Sequence, residues 1–357
     1  MSYIGKKPVD FNDVTEAKTF EVTSDLTTPS INSGQIGGRR NIVINGKMQV
    51  AQRGSLTGQT GVQMAACDRF IVAEAGSTIV DTSQSTDVPS GQGFANSLKI
   101  DVTTADASLA ADDFFLIITR LEGQDVQHLL YGTSGAKDLT VSFWVKSPKT
   151  GTHILELKHN DASYHNSQAY TITSANTWQK VELTFSGYTT TAFDNDTNHS
   201  LGIDWFLAAG STYSGGTLNS NTWHNTDANR AVGQVNCVDS DANNFYITGV
   251  QLEVGSVATE FEHRTLTEEL ALCRRYFYKN TSNTVAFQYR GDYRLIQEIY
   301  PTEMRANPTV SVTEVGGAGT FSASSNASAQ KISQFTAASS TSTTTHYVSA
   351  YTADAEI

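Results

Sequence analysis

The sequence predicts an all-β fold: an antiparallel β-sandwich of jelly-roll type, then one short helix and a small C-terminal β-domain. Three observations predict it. Charged residues make up only 17% of the chain, against about 25% in ordinary soluble domains, and Ser, Thr, Asn, Gln and Gly replace them. Aromatic residues at 10% and hydrophobic residues at 39% furnish a core that a disordered composition lacks. Short runs alternating with period two recur between Gly, Ser, Asn and Asp turns, the pattern of a sandwich.

At 357 residues the chain is long for one domain, and about two or three are expected. Residues 1–38 are polar and aperiodic, with a Ser/Thr/Gly-rich stretch from Ser24 to Gly38 that reads as an attachment segment and linker. The sandwich is placed at 39–264. Its first strand is read at Asn41–Asn45, a β-branched run stopped by the Asn45-Gly46 turn. Asp68–Ala73, the alternating Phe94–Val102 and the apolar Phe114–Leu121 follow, and His128–Tyr131 lies in a linking segment.

Leu139–Lys146 (LTVSFWVK) has the clearest alternation: Leu139, Val141, Phe143 and Val145 face one way, and Thr140, Ser142, Trp144 and Lys146 the other. Pro148 and Gly151 turn the chain into His153–Lys158, and Ala169–Thr173, Val181–Phe185, Leu201–Leu207 and Phe245–Val250 complete the set.

The connecting helix is placed at 265–279. Thr265 and Glu268 form a capping box, Glu268 and Glu269 precede Arg274 and Arg275 as the helix dipole favours, and Leu266, Leu270, Cys273 and Phe277 make one stripe. Residues 280–357 form the small β-domain, with strands at Val285–Arg290, Arg294–Tyr300, Thr309–Thr313 and His346–Tyr351, a turn at Gly316, Gly317 and Gly319, and apolar anchors at Ile332 and Phe335. So small a domain is near the limit of independent stability, which points to association, most simply a homotrimer.

Charge excludes two classes of partner. The 24 basic residues against 36 acidic ones give a net charge of -12, the wrong sign for a phosphate-binding stripe or a polybasic membrane patch. Neither nucleic acid nor membrane insertion is expected. The N-terminal sequence has no apolar signal region, and no run is long enough to span a bilayer. The three widely spaced cysteines, Cys67, Cys237 and Cys273, make no disulfide framework or zinc motif and read as buried thiols.

Four strings carry a resemblance: NIVINGKMQVAQRG, LTVSFWVKSPKTGTHILEL, TDANRAVGQVN and FYITGVQLEVGSVATEFEHRTLTEELALCRRYFY. Over roughly 39–279 the chain resembles a family of bacteriophage tail-fibre and virion structural proteins of marine-phage type. The LTVSFWVK strand, Trp178 before VELTF, and a last strand ending in Leu252-Glu253 are similar to carbohydrate-binding jelly-roll modules. The resemblance implies a two-sheet sandwich in a tail-fibre subunit that adheres to a host-surface glycan. A surface-type composition without a secretory signal points to location in the virion after assembly in the host cytoplasm, and residues 1–38, which the resemblance does not reach, are expected to dock onto other tail or capsid proteins. A purely structural virion component, such as a head fibre, decoration or tail adaptor, is the alternative. A polysaccharide depolymerase is a weaker one.

The residues themselves speak against catalysis. There is no G-x-S-x-G and no paired Cys/His signature. Glycoside hydrolysis needs two carboxylates about 5 to 10 Å apart, and Asp112, Asp113, Glu156, Glu182 and Asp204 are available without anything to pair them. His153, His159 and His165 cluster in one hairpin, but without metal-ligand spacing on a helix. Asp194–Asn198 and Asp239–Asn243 both read D-x-D-x-N, yet positions 6 and 12 hold His199 and Trp205, or Asn244 and Val250, so neither is an EF-hand. No cofactor, metal or catalytic residue is expected. Sugars present flat CH faces that stack on aromatic rings, and the candidate stacking residues are Trp144, Tyr164, Trp178, Tyr213 and Trp223, while Trp205 is assigned to the core.

Overall fold

The computed structural model describes residues 39–281, 285–288, 298–314, 325–335 and 345–357. The expectations for residues 1–38, for 289–297 and for the Gly316–Gly319 turn lie outside them. Twelve strands build the sandwich: β1 (Leu56–Gln59), β2 (Val62–Met64), β3 (Phe70–Ala75), β4 (Ile79–Ser85), β5 (Ser97–Thr104), β6 (Phe114–Glu122), β7 (Leu139–Lys146), β8 (Gly151–His159), β9 (Tyr164–Ile172), β10 (Gln179–Phe185), β11 (His199–Ala209) and β12 (Asn244–Val254). They form two six-stranded sheets, β1-β4-β5-β12-β7-β10 and β2-β3-β6-β11-β8-β9, and the pairings within them are antiparallel.

Alternation explains the core. Leu139, Val141, Phe143 and Val145 of β7 are all fully buried, and so are Leu155 and Leu157 of β8 and Ile203 and Trp205 of β11 on the opposing sheet. Trp205 meets Phe143 edge to face at 5.7 Å, the geometry that the ring quadrupoles favour. Its assignment to the core holds. The three cysteines are free and buried.

The Asn41–Asn45 run is a turn, not a strand. It seats against a bulge in β12, where the register slips between Thr248 and Gln251. The Asn41 amide donates to the Val250 carbonyl at 3.0 Å, the Ile42 N–H to Leu252 O at 2.9 Å and the Val250 N–H to Gly46 O at 2.8 Å. Backbone groups that the bulge leaves unpaired are thereby satisfied. A Cβ on Gly46 would lie 2.0 Å from Val250 O, so only glycine fits there.

The helix spans Leu266–Arg274 and has the expected capping box on Thr265 and Glu268. It stops short of the predicted end because Phe277–Asn280 is strand β13. The stripe also differs: Leu266 is 56% exposed, whereas Glu269 is buried beside Cys273. The Glu269 carboxylate is drawn inward because it accepts from the Asn45 N–H at 2.6 Å and from Arg264 at 3.3 Å.

Strands β13, β14 (Val285–Gln288), β15 (Glu298–Ile299), β16 (Thr309–Glu314), β17 (Ser325–Ala327), β18 (Lys331–Phe335) and β19 (Thr345–Asp354) follow. β19 pairs with β13, β14 and β16, and β15-β18-β17 form a smaller sheet. Tyr300, Met304, Tyr351 and Ala353 make a separate small core. This region is fastened to the sandwich by arginines. Arg53 lies 3.7 Å over the Phe277 ring and pairs with Asp354 and Glu356. Arg69 stacks on Tyr276 and pairs with Glu356, and Arg305 donates to Thr197 O at 2.9 Å. No described helix is long and apolar enough to cross a membrane.

Candidate functional site

The outward face of the first sheet carries an aromatic strip. Because β7 alternates, Trp144 and Lys146 stand on the face opposite the core, and β12 adds Tyr246 directly across from Lys146. Trp178 precedes β10 and comes beside Lys146, since Gln179 pairs with Val145. Trp144, Trp178 and Tyr246 are each half-buried. The Trp178 and Tyr246 rings are 6.2 Å apart at 65°, and Lys146 Nζ lies 4.4 Å from the Tyr246 ring and 5.6 Å from that of Trp178. Such contacts hold both rings in a fixed orientation.

Asp87 ties the group together. Its carboxylate accepts from Trp178 Nε1 at 2.9 Å and pairs with Lys146. Burial would raise the Asp87 carboxyl, but the bonds from Lys146 and Trp178 outweigh it and hold the group below the usual carboxylate range. At the other end, Gly249 (φ +62) leaves room for Trp144 and Phe94, since a Cβ there would lie 2.6 Å from Phe94 and 3.1 Å from Trp144. Phe94 continues the strip to Phe261, 5.1 Å away.

The five candidate rings thus divide among three places. Trp144 and Trp178 share the strip. Tyr164 and Trp223 pack at the end of the main core around Tyr188, each at 5.2 Å, and Trp223 Nε1 donates to Ser186 O at 2.7 Å. Tyr213 belongs to the loop that covers the second sheet, edge-on to Phe114 at 5.5 Å. Tyr246, Lys146 and Asp87 were not among the candidates. Their meeting depends on the β7–β12 register and on a loop, and the sequence signals were the alternation that puts Lys146 on the face of Trp144 and Tyr246's place in FYITGV.

The acids meet different fates. Asp112 accepts from Thr212 Oγ1 at 2.5 Å, Asp113 from the Ala110 N–H at 2.6 Å, and Glu182 pairs with Lys180 at 2.7 Å. Glu156 and Asp204 are register partners on β8 and β11, both buried. Glu156 accepts from Arg230 Nη2 at 2.8 Å, His165 Nδ1 at 3.0 Å and Ser167 Oγ at 3.0 Å. Burial alone would raise the Glu156 carboxyl, but Arg230 and His165 hold it well down. Burial and the neighbouring Glu156 charge push Asp204 up. With Glu156 engaged on every side, its role is to anchor Arg230 and the covering loop. His153 faces Cys237 at 3.7 Å and His159 faces Thr191 O at 3.1 Å. No metal-holding group of His, Cys, Asp and Glu occurs among the described residues. In the two D-x-D-x-N loops, Asn198 Nδ2 donates to Asp196 at 2.6 Å and Asn243 Nδ2 to Asp239 at 2.7 Å.

No family model matches the sequence, and no curated protein does. Among solved structures, the enzymatically active domain of bacteriophage CBA120 tailspike protein 4 is 16% identical, with a TM-score of 0.30 over 60% of this chain and 21% of that one. The family 11 carbohydrate-binding module of a Clostridium thermocellum cellulosomal cellulase is 14% identical, with a TM-score of 0.28 over 58% of this chain and 99% of that one. TmCBM61, solved with β-1,4-galactotriose, is 10% identical, with a TM-score of 0.32 over 60% of this chain and 99% of that one. All three scores are low.

Proposed function

We propose that the chain is a non-catalytic, glycan-binding fibre subunit of a phage virion, and that the aromatic strip of the first sheet is its sugar-contact face. The observation that supports this is the placing of Trp144, Trp178 and Tyr246, all half-buried, on one sheet face, with Trp178 and Tyr246 beside the Lys146–Asp87 pair. Rings held this way offer stacking surfaces, and the ammonium and carboxylate between them can donate to and accept from sugar hydroxyls. From Trp178 through Lys146 and Tyr246 to Lys99 the face crosses four strands, about 14 Å at the usual interstrand spacing, enough for a short oligosaccharide.

The virion assignment rests on the sequence resemblance, with residues 1–38 as the attachment segment. A single such face binds weakly, and a homotrimer raises avidity because linked sites act at high effective concentration. A glycan array probed with the intact chain and with Trp144→Ala and Trp178→Ala tests the reading. Binding by the wild type that both variants lose is expected. Equal binding by all three removes the strip from the account, and no binding to any host-surface glycan favours the purely structural alternative.

A further inference from the structure

The outward face of the second sheet holds a group of polar side chains that satisfy nothing in the chain itself. Gly202 of β11 pairs with Arg120 of β6 on one side and Lys158 of β8 on the other, so two cations flank a position with no side chain. Over that gap stand His199 Nε2 and Asp204 Oδ1: a Cβ built on Gly202 would lie 3.0 Å from the first and 3.3 Å from the second. Both atoms are buried without a hydrogen-bond partner, and so is Arg120 Nε. Among the described residues the Arg120 and Lys158 side chains make no ion pair or hydrogen bond. Buried groups of this kind are costly to leave unpaired, and three around one missing side chain are the mark of a site built for something else.

Neighbouring charges are already matched. Glu156 is held by Arg230 and His165, and Arg69 is held by Glu356. The four residues do sense one another: after burial, Arg120 and Lys158 are the main influences that hold the His199 ring down, and both act on the Asp204 carboxyl. Arg120, Lys158 and His199 are half-buried, so the rim of the cradle reaches solvent while the three unpaired atoms lie sealed beneath it.

We infer that this cradle binds a hydroxy-carboxylate, the group presented by a uronic acid residue. Two unpaired cations call for an anion, and Arg120 offers a planar fork that matches a carboxylate. The free Asp204 oxygen calls for a donor on the same ligand, which a hydroxyl next to the carboxylate supplies and a bare anion does not. A neutral sugar would leave both cations unpaired. The site is separate from the strip on the first sheet and does not depend on it. The proposed glycan reading bears only on where such a group would come from.

Calorimetric titration of the full chain with D-glucuronate tests the inference, with D-glucose, acetate and inorganic phosphate as comparison probes. Saturable binding of glucuronate is expected, with none of glucose and binding weaker by about tenfold for acetate and phosphate, the order of one lost charge-assisted hydrogen bond. Gly202→Ala, which crowds His199 and Asp204, and Arg120→Gln each lower glucuronate affinity about tenfold or more while circular dichroism shows the variants still folded, and Trp144→Ala and Trp178→Ala leave the affinity unchanged. Should Arg120→Gln fail to fold, Lys158→Gln and the His199 ring resonances of the wild type carry the same test. No binding of glucuronate, or unchanged affinity in Gly202→Ala, overturns the site. Phosphate or acetate binding as tightly as glucuronate overturns the hydroxy-carboxylate assignment.

Discussion

Replacing Arg230 by Met removes the main partner of a fully buried carboxylate. Glu156 has no exposed surface. It accepts from Arg230 Nε at 3.2 and 3.1 Å and from Nη2 at 2.8 Å, besides His165 and Ser167. Met retains the bulk of the stem but leaves the charge with one imidazole and one hydroxyl, next to Asp204. Breaking one side of such a pair costs about 3–5 kcal/mol, whereas an exposed ion pair costs about 1 kcal/mol or less. Arg230 also lies 5.5 Å from the Tyr213 ring and 5.6 Å from that of Phe206, so its loss also loosens the cover over the second sheet. Urea unfolding of the full chain at neutral pH measures the difference. A destabilisation in the larger range is expected, and a loss under about 1 kcal/mol refutes the anchoring role. The pH dependence has a definite sign. The Glu156 carboxyl is depressed in the folded state, so its contribution is complete above the unfolded glutamate value and is lost as pH falls toward the folded one. That acid-side loss shrinks in Arg230→Met.

Three further outcomes follow from the same geometry. Gly46→Ala forces a Cβ to within 2.0 Å of Val250 O, and a loss of about 3 kcal/mol or failure to fold is expected in thermal melts; a stability equal to wild type contradicts the docking of the 41–46 turn on β12. Trp178→Phe removes the indole donor to Asp87, so the Asp87 carboxyl titrates closer to its ordinary value by nuclear magnetic resonance, and an unchanged titration contradicts the strip geometry. Glu356→Gln weakens the pairing with Arg53 and Arg69, and hydrogen exchange at the Ala355 amide, bonded to Tyr276 O at 2.8 Å, should speed up.

Legibility of the fold followed the range of the interactions involved. Alternation in LTVSFWVK was enough to place Val141 and Phe143 inward and Trp144 outward, because that choice is local to one strand. The capping box at Thr265 was equally local. The short edge strands β1 and β2 were not foreseen, because LTGQ and VQM carry too little apolar period. Asn41–Asn45 misled because its β-branched side chains look like a strand, while its backbone is spent on a bulge more than two hundred residues away in β12. The same holds for the sites. Sequence could mark Trp144 and Trp178 as candidates but not join them, and it could not separate them from Trp223 and Tyr164, whose rings pack at the end of the core. Tyr246, the Glu156–Asp204 neighbours and the Gly202 cradle all depend on strand register, which no single segment encodes.

The four tryptophans offer the most direct measurement, since each contributes one indole N–H resonance. Two, Trp144 and Trp178, lie on the strip, whereas Trp205 is sealed in the core and Trp223 is bonded to Ser186. On titration with a host-surface oligosaccharide that the chain binds, the Trp144 and Trp178 resonances should shift in a saturable manner while those of Trp205 and Trp223 stay in place. Saturation with Trp144 and Trp178 unmoved contradicts the assignment of the sugar-contact face.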